Sequence, residues 1–184
     1  MTTNMVVNNV MSMDARKIEH TLKSLDTASF DIAVEDIMAA DSVYIIGARA
    51  CEPLAEFLGY YLRMIKKNIQ VIKTGNSNEL FEQMMYIGKG DVAIGISFPR
   101  YSMRTLKAME FANNRQARVI AITDSIHSPM NMYSSCNLFA RSDMASIVDS
   151  LVAPMSLINA LIVSLCLKNS EQVVENLSLI HISE

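Results

Sequence analysis

A chain of 184 residues, 51% hydrophobic and 19% charged, is long enough for one domain with a substantial core and an appendage. Its net charge of −3 leaves no footprint for direct nucleic-acid binding, which draws on clustered Lys and Arg. Three cysteines, Cys51, Cys136 and Cys166, are odd in number and lack metal-type partners. With a polar start that is no secretory signal, they predict reduced thiols, no metal and a cytoplasmic setting.

From Asn4 to about Leu25, the residues Val7, Val10, Met11, Ala15, Ile18, Leu22 and Leu25 recur at helical steps. This amphipathic helix is expected to pack its apolar stripe on its own domain or across a homodimer. Asp26 or Thr27 caps a second helix, about Ala28 to Ala40, which buries Phe30, Ala33, Val34, Ile37 and Met38. Ser42 to Ile46 reads as the first strand. Gly47 is then placed for a tight turn into a helix over Glu52 to Ile65, with Pro53 in its first turn.

A short strand at Ile69 to Ile72 and a helix at Glu79 to Tyr86 precede Gly88 and Gly90. Val92 to Ile96 has the length and β-branched content of a buried strand, and Leu106, Met109 and Ala112 mark the helix that follows, to about Arg115. Between them, the loop SFPRYSMRT offers the hydroxyls of Ser97, Ser102 and Thr105, the charges of Arg100 and Arg104, and the unpaired N–H groups of a helix start. That set suits an anionic ligand, although Ser102 alone could simply be a helix cap. Arg118 to Ile122 is a fourth strand, Thr123 to Ser128 a polar loop, Pro129 to Tyr133 a helical turn, and Asn137 to Ala140 a weak fifth strand. A long helix, about Ile147 to Leu167, closes the domain. It is apolar nearly all round, but Pro154, Ser156, Asn159 and Ser164 keep it short of the ~20 apolar residues a membrane span needs.

Strands that alternate with helices and are almost fully apolar predict an α/β fold, a parallel sheet covered on both faces. In the common 2-1-3-4-5 order, the loops leaving the first and third strands diverge around a crevice. Those loops here are GARACE and SFPRYS, which makes the second more than a helix cap.

At these loops the sequence resembles the SIS (sugar isomerase) domain, and more closely the SIS half of RpiR/MurR-type bacterial transcriptional regulators. The likeness covers about Ala28 to Lys168 and is carried by SVYIIGARACEPLAEFLGYYL, GDVAIGISFPRYSMRTLKAMEFA and ARVIAITDSIHSPM, in that order. It implies a three-layer αβα sandwich with a five-stranded parallel sheet, usually dimeric, binding phosphosugars without a cofactor. By this resemblance residues 1–27 are a helical linker, 28–168 the SIS domain and 169–184 a tail. Its closing LSLIHISE looks like sequencing-adapter read-through and is given no functional weight. The implied ligand-binding positions are Gly47, Ala48, Arg49, Ala50 and Cys51 in the first loop, and Ser97, Arg100, Tyr101, Ser102 and Thr105 in the second. Cys51 stands where the family usually has Ser, and Pro99 and Arg100 where the commoner pattern has Ser and Gly. Arg100 is therefore expected to grip the ligand's anion, be it a phosphate or another acid. The regulators also carry a helix-turn-helix domain, and nothing before Ser42 supplies one, so DNA is expected as a partner only through such a domain.

An isomerase would need a general base, for which Glu52, Glu79 and His127 are the candidates. Glu52 and Glu79 open helices, where a carboxylate is favoured for structural reasons alone. No catalytic pair stands out, so binding without turnover is the favoured reading. A sugar-phosphate isomerase is the alternative, and a purely structural dimerisation module is a third.

Overall fold

The computed structural model describes residues 2–143 and 148–182. Five strands, β1 (Val43–Gly47), β2 (Ile69–Val71), β3 (Val92–Ile96), β4 (Arg118–Thr123) and β5 (Cys136–Phe139), form one sheet in the order β2-β1-β3-β4-β5, as the alternation predicts. Every neighbouring pair is parallel. The central strands can be short and almost wholly apolar because helices cover both faces, and β1 and β3 are buried at every position. Val43 pairs with Val92 and Gly47 with Ile96, so β1 and β3 end level and their outgoing loops start side by side.

The helices are α1 (Thr3–Ser24), α2 (Thr27–Ala39), α3 (Glu52–Ile65), α4 (Ser77–Gln83), α5 (Met103–Asn114), α6 (Val152–Lys168) and α7 (Ser170–Ile182). On one face, α2, α3 and α6 bring Ile37, Leu58, Leu62 and Leu161 against Ile45, Ile94 and Ile122. On the other, α4 and α5 bring Leu80, Met84 and Met109 against Ile46, Ala93 and Val119. Alternate residues of β1, β3 and β4 thus feed two separate cores.

The apolar stripe of α1, for which the sequence allows either its own domain or a homodimer, is divided: Ile18 and Leu25 pack partly buried against the core, Val7, Val10, Met11 and Leu22 are exposed, and the buried residues are Lys17 and Thr21. Polar contacts described below help set that orientation. Three expectations are corrected. The helix expected at Glu79 to Tyr86 starts and stops earlier, because the Asn76 side chain caps it through the Asn78 N–H at 3.0 Å. Past Gln83 the chain turns so that Met84 and Ile87 are both buried while Tyr86 faces solvent. For the long closing helix, Ile147 lies outside the described residues. The helix begins at Val152, which puts Pro154 in the first turn, where its missing N–H costs nothing. Finally, residues 170–182 of the expected tail form α7, docked on α3, with the Asn176 amide donating to the Met64 carbonyl at 2.5 Å.

Among the described residues no single helix is long and apolar enough to cross a membrane.

Candidate functional site

The site is built from the level ends of β1 and β3. A Cβ on Gly47 would lie 2.5 Å from the Cys51 carbonyl oxygen, so only glycine lets the chain turn this closely into the short 3-10 turn Arg49–Cys51 and then α3. After β3, Ser97 Oγ accepts from the Ser102 N–H at 3.1 Å, and Ser102 Oγ accepts from the Thr105 N–H at 3.3 Å, capping α5. Both serines therefore shape the loop before any ligand is considered. Each loop also holds one arginine in the left-handed region, Arg49 at φ 56° and Arg100 at φ 67°. Side chains with a Cβ rarely adopt that conformation, and it concentrates at functional sites.

Above these ends lies a cleft of about 730 Å³. The first loop contributes Ala48 to Cys51 and the second Ser97 to Arg100 with Ser102. Three expected positions stand behind this lining. Gly47 forms the buried turn, Tyr101 donates its hydroxyl to Asp124 at 2.6 Å, and Thr105 is fully buried with no hydrogen-bond partner for its Oγ1. Two further walls escaped sequence reasoning: Asp124 and Ser125 after β4, and Arg141 to Asp143, Asp149 and Leu151 between β5 and α6. The strand order itself was the available signal, since parallel strands send all their outgoing loops to one edge.

The charges in the cleft are largely paired. Arg100 Nη2 lies 2.7 Å from Asp149 Oδ2, bridging the second loop and the far wall, and Arg141 Nε donates to Asp143 at 2.6 Å. Arg49, exposed at the mouth, has no ion pair or side-chain hydrogen bond among the described residues. Burial pushes the Cys51 thiol up to about 11, so at neutral pH it is a weak neutral donor and no thiolate. Burial, reinforced by the bond to Asp124, pushes Tyr101 up to about 12 and keeps it a donor. Ser142, buried in the far wall, has an unpartnered Oγ.

None of the three candidate bases lines the cleft. Glu52 sits in the first turn of α3. Glu79 sits in that of α4, where its carboxylate accepts from the Asn76 amide at 3.4 Å. His127 is exposed, and its backbone N–H donates to Ser125 Oγ. Among the described residues no three His, Cys, Asp or Glu side chains group as metal ligands would. What lines the cleft instead is a guanidinium unpaired among the described residues, serine hydroxyls and the N-terminus of α5, groups whose chemistry suits an anion attached to a polyol.

The comparisons agree with this architecture. An uncharacterised HTH-type transcriptional regulator from Haemophilus influenzae is 26% identical over 129 residues, which cover 70% of this chain and 44% of that protein. The chain thus spans less than half the length of that regulator. The crystal structure of the sugar isomerase domain of an RpiR transcription factor from Sphaerobacter thermophilus superposes with a TM-score of 0.89 at 26% identity, covering 94% of this chain and 96% of the other. The Vibrio vulnificus NanR protein complexed with ManNAc-6P shares the fold at a TM-score of 0.85 and 20% identity, over 97% of this chain and 70% of the other. Residues 36–164, which carry the whole sheet and every wall of the cleft, match the family model of the SIS domain, and the chain belongs to the SIS domain family.

Proposed function

We propose that this chain is the effector-sensing and dimerisation part of an RpiR-type transcriptional regulator. It works in the cytoplasm, holds a phosphorylated sugar derivative in the cleft, and reaches DNA only through a separate helix-turn-helix domain. The observation that carries the reading is that Arg49, unpaired among the described residues, lines the same cleft as Ser97 and Ser102, the serines that shape the N-terminus of α5. It is supported by the regulators among the relatives and by NanR, whose structure holds a phosphosugar. An isomerase needs a base in the cleft. Glu52, Glu79 and His127 lie outside it, and Asp124, Asp143 and Asp149, which line it, are each engaged by a donor.

A thermal-shift panel of hexose 6-phosphates and N-acetylated amino-sugar 6-phosphates, with the unphosphorylated sugars as controls, tests this. A binder present at about 100 times its Kd adds ~2.7 kcal/mol, raising Tm by roughly 5–10 °C in a domain of this size. No shift for any phosphosugar at millimolar concentration sinks the sensor reading.

The dimer is drawn through α1. Val7, Val10 and Met11 lie on the N-terminal half of α1, where residues 2–13 are all exposed, and a two-fold contact with a second copy is the simplest cover for such a stripe. Light scattering should give twice the chain mass, and Val10→Asp should return a monomer. A wild-type monomer at tens of micromolar removes this part of the reading.

A further inference from the structure

We propose that Asp14, His20 and Thr21 of α1 are positioning residues for the cleft, so that the docking of α1 and the shape of the site are coupled in both directions; the functional meaning of this coupling rests on the cleft being the ligand site. Described residues between β5 and α6 line the cleft and also touch α1. At the near end of this wall, Arg141 to Asp143 line the cleft. There the Arg141 backbone N–H donates to Thr21 Oγ1 at 3.0 Å, and Arg141 Nη1 lies 3.1 Å from His20 Nε2. At the far end, Asp149 holds Arg100 across the cleft, and the next residue, Ser150, donates to Asp14 Oδ1 at 2.5 Å. Each end of the wall places a cleft residue within one position of a tether to α1.

These tethers share the holding of α1 with only two partly buried apolar residues, Ile18 and Leu25. Val7, Val10, Met11 and Leu22 are exposed, and the residues α1 buries are Lys17 and Thr21. Thr21 donates its own hydroxyl proton to the Lys17 carbonyl at 2.8 Å, which leaves its oxygen turned to accept from Arg141. An anion that drew Arg100 away from Asp149 would free the far end of the wall, and with it the Ser150 contact to Asp14. By linkage, undocking α1 would change the cleft's affinity by the same factor. The chain of contacts therefore runs from the second loop to the helix that the sequence presents as a linker.

Hydrogen exchange on the whole chain without ligand tests the coupling independently of ligand identity. Asp14→Ala should speed exchange of the loop amides from Ser97 to Ser102 by about tenfold, the loss of one charge-assisted hydrogen bond. Arg100→Ala should speed exchange over residues 14–24 comparably. In both variants the β3 and β4 amides should keep wild-type rates, which a general loss of stability would not allow. Should Asp14→Ala also accelerate β3, Ser150→Ala, which spares the carboxylate, replaces it in the comparison. Variants that each affect only their own element overturn the proposal. A phosphosugar panel with no binder would sink the ligand reading and leave this exchange result standing, whereas uncoupled exchange beside a clear thermal shift would sink this inference alone.

Discussion

Gly47→Ala should lower the stability of the domain by about 2–3 kcal/mol, the cost of forcing an extra carbon into a packed turn, and bring Tm down by roughly 5–10 °C. The added methyl would meet the Cys51 carbonyl oxygen at 2.5 Å, its carbon at 3.0 Å and the Ala55 Cβ at 3.2 Å. The first two are backbone atoms at the entrance to α3, and they cannot swing aside as a side chain would. Relief requires α3 to move off the sheet, which would loosen Leu54, Ala55 and Leu58 in the core and lower the floor of the cleft. The control is Gly75→Ala, where nothing lies within 4 Å of the new carbon. That change should be neutral or stabilise slightly by stiffening the unfolded chain. Equal melting temperatures for Gly47→Ala and wild type would show that the turn relaxes freely and that the glycine is not required there.

The second large effect is on binding. Arg49→Ala should weaken the best ligand of the phosphosugar panel by about 10- to 100-fold, the range expected for removing a charge-assisted hydrogen bond. Arg100→Ala should weaken it less, because Arg100 is already engaged by Asp149 and an anion must compete for it. Titration calorimetry on the two variants gives the ranking directly. An Arg49→Ala protein that binds as wild type does, beside an Arg100→Ala protein that does not bind, would reverse the assignment. The expected ranking thus moves the weight of anion recognition from the arginine that stands out in the sequence to the one that has no partner among the described residues.

That shift shows what was legible in the sequence and what was not. Val43 to Gly47 and Val92 to Ile96 are apolar and partly β-branched, flanked by glycine or polar punctuation, and such runs read as buried parallel strands from composition alone. The handedness of crossovers limits their order without choosing one, and the pairing of GARACE with SFPRYS came from taking the common 2-1-3-4-5 order. The roles of Ser97 and Ser102 are local, reaching five and three residues along the chain. The pairing of Arg100 with Asp149 spans 49 residues and crosses a loop that no periodicity describes. Asp124 and the wall from Arg141 were invisible for the same reason: polar residues in loops have no pattern until the strands beneath them are placed. The orientation of α1 was open for another reason. Its apolar stripe is real, but periodicity says only that a stripe exists, and here hydrogen bonds accepted by Asp14 and Thr21 help fix which side faces the domain.

The level ends of β1 and β3 have a further consequence. Because the two strands stop in register and the chain leaves each through a tight turn, the base of the cleft is main chain, and its height is set by sheet geometry instead of by any one side chain. The residues above it, Arg49, Ala50, Pro99, Arg100, Ser102, Arg141 to Asp143 and Asp149, are in neither core. Such a platform lets ligand preference drift through loop substitutions at almost no cost to folding. A set of chimeras exchanging only these residues between relatives would therefore be expected to melt together while sorting different sugars.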